Sequence, residues 1–184
     1  MRPEGRPILK LLPLRAMEDY HAVHALNVAM LSMAMAEYLN YSENSVYAIG
    51  LAGLLHDIGM VRVPVELISK SEQLDPEERE LVKQHPINGA RIIVEADAAL
   101  DLAAVVAYEH HLRLDGTGYP ELRFPRQGHR VSRLVQVCDT YHALRSPRPF
   151  RDPWPADVIF SFLGQRAGSV FGPEMTSALT SVVK

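Results

Sequence analysis

The sequence predicts an all-α fold, a compact bundle of several helices. Apolar residues recur at helical spacing along most of the chain, helix-starting residues stand before several of these segments, and no segment alternates as a strand does. With 184 residues, 47% of them hydrophobic, the chain can bury a core of its own. We therefore expect a single domain over residues 16–184, preceded by a short N-terminal lead-in over residues 1–15.

The first two predicted helices lead to an adjacent His-Asp pair. One helix is expected over residues 16–40. Ser42 can cap a second helix, which continues to Leu55 and the pair His56-Asp57. The apolar face of the first helix is predicted to turn toward the core with Val23, Leu26, Met30, Met33 and Ala34.

The middle of the chain carries clear signals for the start and end of helices. Gly59 is expected to end the second helix, and a short helix follows over residues 64–68. The Asp-Pro-Glu-Glu sequence from Asp75 predicts a capping box, with Pro in the first turn. Because the residue before Pro disfavours helical geometry, that helix is expected to stop before Pro86, with His85 at its end.

The remaining helices are separated by loops. Gly and Pro residues predict a loop over residues 114–127, and a second loop is expected over residues 148–153. Helices are predicted over residues 87–95, 101–110, 129–144, 156–166 and 174–182.

Composition excludes several classes of protein. The net charge of -3 and the lack of a basic run argue against binding to polymeric nucleic acid. No stretch approaches the roughly 20 apolar residues of a membrane-spanning helix, and the apolar run over residues 8–13 is too short for a signal peptide. The single Cys138 excludes an internal disulfide framework, so a reducing, cytoplasmic setting is expected.

Histidine and aspartate residues in apolar surroundings indicate a metal centre. The doublets His56-Asp57 and His110-His111 each stand at the end of a predicted helix, and burying them without partners would cost a few kcal/mol per group. Any one such histidine is more often a hydrogen-bonded core residue, but seven candidates in one domain favour convergence on metal. A carboxylate such as Asp57 can bridge two ions, which at about 4 Å can activate water and polarise a phosphoryl oxygen. The candidate ligands are His24, His56, Asp57, His85, His110, His111 and Asp139.

The order of the motifs resembles that of the HD-GYP family of metal-dependent phosphohydrolases. The matching motifs are H-D-I-G at 56–59, H-P-x-x-G at 85–89, H-H-x-x-x-D-G-x-G-Y-P at 110–120, D-x-x-x-A-L at 139–144 and R-P-F-R at 148–151. The resemblance implies an HD-type helical bundle with a metal centre between the helices. It implies the same seven ligands, with Asp57 as the bridging, catalytic carboxylate. Fe and Mn are the favoured divalent ions, and Ni and Zn stay open.

The resemblance implies a cyclic di-GMP phosphodiesterase of bacterial signal transduction, with linear pGpG and then GMP as products. Arg148 and Arg151 are predicted to bind substrate phosphate through charge-assisted hydrogen bonds, although both could be solvated loop residues. Asp115 is also assigned to substrate binding. Two alternatives stay open: an HD phosphohydrolase with another nucleotide substrate, and a catalytically weak domain that binds a nucleotide, a signalling protein or a second copy of itself.

Four positions depart from the family pattern. Met60 replaces the usual Lys after H-D-I-G, a residue thought to contact substrate phosphate. Tyr20 stands where members with three metals carry an acid, so we expect two ions. Leu112 replaces a common Glu, and His142 replaces a common Asp. These departures bear on turnover more than on metal binding. Within the loop, Tyr119 is expected to pack rather than to stack on a base.

Overall fold

The protein is built from helices joined mostly by short connections, as the computed structural model shows for residues 20–70, 72–124, 126–147 and 152–184. Within these ranges no strand forms, and isolated bridges pair Leu112 with Gly118 and Ala167 with Phe171. The all-α prediction is therefore confirmed. The α-helices are α1 (Tyr20–Tyr38), α2 (Glu43–Leu55), α3 (Val65–Ile68), α4 (Pro76–Val82), α5 (His85–Ala96), α6 (Asp101–Glu109), α7 (Arg130–Arg145), α8 (Ala156–Gln165) and α9 (Pro173–Val183). In the described ranges, 3-10 helices at Ile58–Arg62 and Ala98–Leu100 precede α3 and α6.

Helix α1 packs against α2, α7 and α9, while α5 packs against α6 and against the 3-10 helix that follows α2. The core between them is apolar and includes Val28, Leu31, Ile49, Val106, Leu134, Val135 and Leu179. The elements that carry the candidate ligands therefore meet within one packed unit.

The predicted core face of α1 is wrong. Leu26 is 44% exposed, and Met33 is only half-buried, with its side chain lying over Gly50 of α2. The side that faces the interior carries Tyr20, His24, Asn27, Val28, Leu31, Ser32, Met35 and Ala36. Apolar periodicity selects the wrong face because the buried side of α1 includes polar residues that face the candidate metal centre.

The predicted helix starts are confirmed by side-chain hydrogen bonds. The Ser42 hydroxyl accepts a hydrogen bond from the backbone N–H of Ser45 at the start of α2. At the start of α4, Asp75 and Glu78 form the reciprocal bonds of a capping box. Each cap satisfies N–H groups that the first helical turn leaves without a partner.

His85 begins a helix rather than ending one. Helix α4 stops at Val82, and α5 starts at His85 with Pro86 in its first turn. Proline is accepted there because the first-turn N–H groups have no intrahelical acceptor. The prediction that His85 closes the capped helix is therefore wrong, although the break before Pro86 is real.

Parts of two predictions lie outside the described residues. The predicted lead-in over residues 1–15 lies outside them, and so do Arg148 and Arg151, which were predicted to bind substrate phosphate. Within the described part of the chain, no helix is long and apolar enough to cross a membrane.

Candidate metal centre

The seven predicted ligands come together in two adjoining clusters of side chains. In each cluster, one ligand atom per residue lies within 4.8 Å of the others. The first cluster, which we call the Asp57 cluster, consists of Asp57, His85, His110 and His111. The second, the Asp139 cluster, consists of His24, His56 and Asp139. The residues of the two clusters lie on α1, at the end of α2, at the start of α5, at the end of α6 and in the middle of α7.

Asp57 lies between the two clusters and faces both. Its Oδ1 is 3.1 Å from Nε2 of His85 and 3.4 Å from Nε2 of His110. Its Oδ2 is 3.4 Å from Nε2 of His56 in the other cluster. Oδ1 of Asp57 therefore faces its own cluster and Oδ2 faces the Asp139 cluster, which is the arrangement that a bridging carboxylate requires.

The Asp139 cluster is similarly compact. Nε2 of His24 lies 3.0 Å from Oδ1 of Asp139, and Nε2 of His56 lies 4.0 Å from the same oxygen. His24 and His56 are almost fully buried. A carboxylate oxygen and two imidazole nitrogens thus converge on one small volume, a donor set suited to divalent transition metals.

Three histidines are oriented by the ends of the helices that precede them. Nδ1 of His56 donates to the carbonyl of Gly53 at 2.8 Å. His85 bonds the carbonyl of Val82 at 2.8 Å, and His110 bonds that of Ala107 at 2.9 Å. Each acceptor is three residues earlier, in a last helical turn whose carbonyls lack intrahelical partners.

These bonds place the proton of each ring on Nδ1 and direct the Nε2 lone pair toward the carboxylates, as in metal sites whose histidines are held by outer groups. Nε2 of His56 is buried and makes no hydrogen bond to any described residue. An unsatisfied buried nitrogen costs free energy, and a cation beside the carboxylates would satisfy it. The residues present therefore fit a metal centre.

The electrostatics of the clusters also suit cations. Burial disfavours ionisation of Asp57 and Asp139, but the facing imidazoles outweigh it and hold the pKa of each carboxyl well below its usual range. Burial lowers the pKa of His110 and His111. Burial would also lower the pKa of His56, but the neighbouring carboxylates raise it to about 9. Without metal, a proton on His56 therefore occupies part of the space where a cation would bind.

Comparison with known proteins identifies the family. Residues 11–175 match the HD domain. The chain belongs to the HD domain family. This HD domain is 35% identical over 176 residues to Cyclic di-GMP phosphodiesterase PA4108 of Pseudomonas aeruginosa, covering 96% of the chain and 42% of that protein. It is also 35% identical over 171 residues to a cyclic di-GMP phosphodiesterase of Thermotoga maritima, covering 92% and 46%. The chain thus spans less than half the length of these relatives.

Other comparisons extend the likeness. The HD domain is 29% identical to 3'3'-cGAMP-specific phosphodiesterase 2 of Vibrio cholerae, covering 85% of the chain and 30% of that protein. The solved structure of Bd1817, an HDG"Y"P protein from Bdellovibrio bacteriovorus, superposes with a TM-score of 0.72 at 22% identity, covering 92% of this chain and 54% of that one. The resemblance to HD-GYP proteins is confirmed, and membership of the HD domain family implies a divalent metal site.

Polar residues lie behind the Asp139 cluster of the HD domain, and they were not predicted as part of the site. Nδ1 of His142 lies 2.8 Å from Nδ1 of His24, and its Nε2 lies 2.9 Å from Nδ2 of Asn27. The signal was present, because His142 stands three residues after Asp139 and so shares its side of α7. Asn27 stands three residues after His24 in the same way.

Glu109 is a further buried polar residue that was not predicted from the sequence. It is buried, precedes His110, and accepts hydrogen bonds from the hydroxyl of Ser132 at 2.9 Å and the backbone N–H of His129 at 2.6 Å. Arg126 forms an ion pair with its other oxygen at 2.6 Å. Glu109 therefore fastens the end of α6, and the histidine doublet that follows, to the start of α7.

The D-G-x-G-Y-P loop lies against the Asp57 cluster. Tyr119 stacks on His111 with ring centroids 4.4 Å apart and meets His85 edge-on at 6.0 Å. These contacts support the prediction that Tyr119 packs. Asp115 is exposed and accepts hydrogen bonds from the backbone and hydroxyl of Thr117, so it shapes the turn. Its assignment to substrate binding stays a prediction.

Cys138 is buried, with its sulfur 3.3 Å from the sulfur of Met35. Burial raises the pKa of its thiol to about 12. The thiol is thus a neutral core group at the contact between α1 and α7, and it is not one of the predicted ligands.

Proposed function

We propose that this HD domain is a metal-dependent phosphodiesterase that hydrolyses cyclic di-GMP to linear pGpG and then to GMP. The observation that carries the proposal is the pair of clusters with Asp57 between them, one oxygen directed at each. The names of the relatives from Pseudomonas aeruginosa and Thermotoga maritima supply the substrate.

We propose two divalent ions, with Fe or Mn as the favoured metals. The Asp57 cluster would hold one ion and the Asp139 cluster the other, with Asp57 shared. When bound, the ions would activate water and neutralise charge on a phosphoryl oxygen. Because imidazole is a neutral ligand, a set with only two carboxylates leaves the ions with net positive charge, which favours an anionic phosphodiester.

The chain's own residues would orient and confine the reaction. Asp57 would set the separation of the two ions, which is why we propose it as the catalytic carboxylate. Helix-end carbonyls hold His56, His85 and His110 in one orientation, so little rearrangement is needed when substrate arrives. Tyr119 covers one side of His111 and limits its ring to one position.

Arg148 and Arg151 are proposed to bind the second phosphate of the cyclic dinucleotide, and Asp115 is also proposed to contact substrate. The residues on either side of this arginine loop are tied together. The backbone N–H of Trp154 donates to the carbonyl of Leu144 at 2.9 Å, and Arg145 donates to the carbonyl of Trp154 at 2.9 Å. Trp154, on the C-terminal side of the two arginines, therefore lies beside the last turn of α7, the helix that carries Asp139.

A second candidate substrate is 3'3'-cGAMP, because several relatives from Vibrio cholerae are named as cGAMP-specific phosphodiesterases. A further alternative is a weakly catalytic signalling module that binds a nucleotide, a partner protein or a second copy of itself. Met60, Leu112 and His142 favour this alternative. A cytoplasmic location also stays part of the proposal.

The test is product analysis with metal-loaded protein. Cyclic di-GMP, 3'3'-cGAMP and a nitrophenyl phosphodiester are supplied in parallel, and products are separated by chromatography. The proposal expects pGpG before GMP and the highest kcat/KM on cyclic di-GMP. Faster turnover of 3'3'-cGAMP would reassign the substrate, and equal rates on all three would indicate a promiscuous hydrolase.

The arginine assignment has its own test. Replacing Arg148 and Arg151 together by Gln should raise KM for cyclic di-GMP, because two charge-assisted hydrogen bonds to phosphate are lost. The matched control is Arg91→Gln on the exposed side of α5. An unchanged KM in the double variant would make both arginines solvated loop residues.

A further inference from the structure

His24 differs from the other buried histidines in how its ring is held. It lies inside α1, where backbone carbonyls accept the hydrogen bonds of the helix, so no helix-end carbonyl is available to its Nδ1. Its Nδ1 instead lies 2.8 Å from Nδ1 of His142, a residue 118 positions later in the chain. A side chain of α7 thus takes the place that a carbonyl takes beside His56, His85 and His110.

The contact between His24 and His142 extends to further polar side chains. His142 is buried, and its Nε2 lies 2.9 Å from Nδ2 of the Asn27 amide on α1. The hydroxyl of Ser146 lies 3.4 Å from both ring nitrogens of His142. His24, His142 and Asn27 therefore form one buried polar network, in which the proton on each ring depends on its neighbour.

The contacts among His24, His142 and Asn27 are satisfied by two arrangements of their protons. In the first, the Asn27 nitrogen faces His142, as it does in the structure. The amide then donates to Nε2 of His142, His142 donates from Nδ1 to His24, and His24 keeps its proton on Nε2, facing Asp139. With the amide oxygen toward His142, every donor and acceptor is exchanged, and Nε2 of His24 presents its lone pair. Both arrangements hold the same number of protons, and an amide can present either atom.

We propose that His142 is the positioning residue of the Asp139 cluster, accepting the Nδ1 proton of His24, and that Asn27 fixes the His142 tautomer through its amide oxygen when metal is bound. This inference rests on the proposed two-metal centre. It assigns His142 a role toward the ligand His24 rather than toward substrate. It also explains how a helix-interior histidine can be oriented as firmly as the three at helix ends.

The first experiment compares two substitutions of similar size at one position. His142→Gln keeps an acceptor for His24, whereas His142→Leu removes it. Zinc binding is measured by competition with a chromophoric chelator. Removing an outer-shell partner typically weakens metal binding about 10- to 100-fold, so the Leu variant should bind one of two zinc equivalents that much more weakly. The Gln variant should stay within a few-fold of the unsubstituted protein.

Matched controls separate positioning from packing. His21→Leu removes an exposed histidine three residues before His24 and should bind zinc normally. Melting temperatures of the chelated proteins report whether His142→Leu damages the fold. Equal zinc binding in the Leu, Gln and unsubstituted proteins would overturn the inference, as would equal weakening in both variants.

The second experiment reads the tautomer directly. Nitrogen-15 NMR of the zinc-loaded protein, labelled at histidine, distinguishes a protonated from an unprotonated ring nitrogen. We expect His24 protonated on Nδ1 and His142 on Nε2. A proton on Nδ1 of His142 would overturn the inference even if the variants behave as expected. Failure of the unsubstituted protein to bind zinc is a distinct result, which would overturn the proposed metal centre and this inference with it.

Discussion

Gly59 approaches the first turn of α5 so closely that a methyl group has no room. A Cβ atom built on Gly59 would lie 2.0 Å from the carbonyl oxygen of His85 and 2.5 Å from the backbone nitrogen of Gly89. Real Cβ atoms essentially never come within 3.0 Å of such neighbours. In Gly59→Ala the start of α5 must therefore retreat by about 1 Å, because both obstructing atoms are backbone and no side chain can rotate away.

This shift of the start of α5 in Gly59→Ala has two consequences that can be measured. Overpacking typically costs about 1–3 kcal/mol, and we expect the upper end of that range because the clash is with backbone. The same movement carries His85 away from Asp57, whose Oδ1 lies 3.1 Å from its Nε2. Metal–ligand distances in well-formed sites lie within about 0.2 Å of their preferred values, so a displacement of His85 should lower the affinity of the Asp57 cluster for metal.

The assay combines urea unfolding of the chelated protein with metal content of the loaded protein. Gly164→Ala is the matched control, because Gly164 lies in α8 and its Cβ would meet open space. Alanine is favoured over glycine in a helix by about 1 kcal/mol, so that variant should be at least as stable as the parent. If Gly59→Ala matches the parent in both stability and metal content, the close approach does not position His85.

Three further predictions concern charge and metal. In the chelated protein, the raised pKa of His56 stabilises the fold below its ordinary value of 6.5, and this contribution is lost as pH rises through about 9. The free energy of unfolding should fall by up to about 3 kcal/mol across that window, and a flat urea midpoint would contradict the assignment. Asp57→Ala should lose most metal in elemental analysis, where the parent approaches two equivalents; a fully loaded variant would remove Asp57 from its bridging role. Met60→Lys should raise kcat/KM several-fold at unchanged metal content, since it adds a cation beside the proposed phosphate site, and an unchanged rate would place that site elsewhere.

Much of the fold follows from local rules that act within a few residues. The Ser42 cap and the capping box at Asp75 depend on side chains three residues apart, and both form as predicted. The convergence of the ligands does not follow from a local rule. It was predicted because burial of so many imidazoles and carboxylates in one domain demands a shared partner. All seven residues of the two clusters were therefore predicted as ligands from the sequence.

What the sequence could not supply depends on contacts between distant segments. The inward face of α1 carries His24 and Asn27, whose polarity hides it from an analysis of apolar spacing. His142 meets them across more than a hundred residues. The prediction that Gly59 ends the second helix is wrong, because α2 ends at Leu55 and Gly59 lies within the 3-10 helix that follows. Its approach to α5 becomes visible only when both segments are in place.

Turnover of cyclic di-GMP, followed as metal is added back to chelated protein, shows whether the two clusters act as one catalytic centre. We predict no turnover without metal, little at the first equivalent of Mn²⁺, and a rise that levels off near two equivalents, because both clusters must be filled around Asp57. Turnover by the metal-free protein would contradict this two-metal centre, as would a fully loaded protein that leaves both cyclic di-GMP and 3'3'-cGAMP intact.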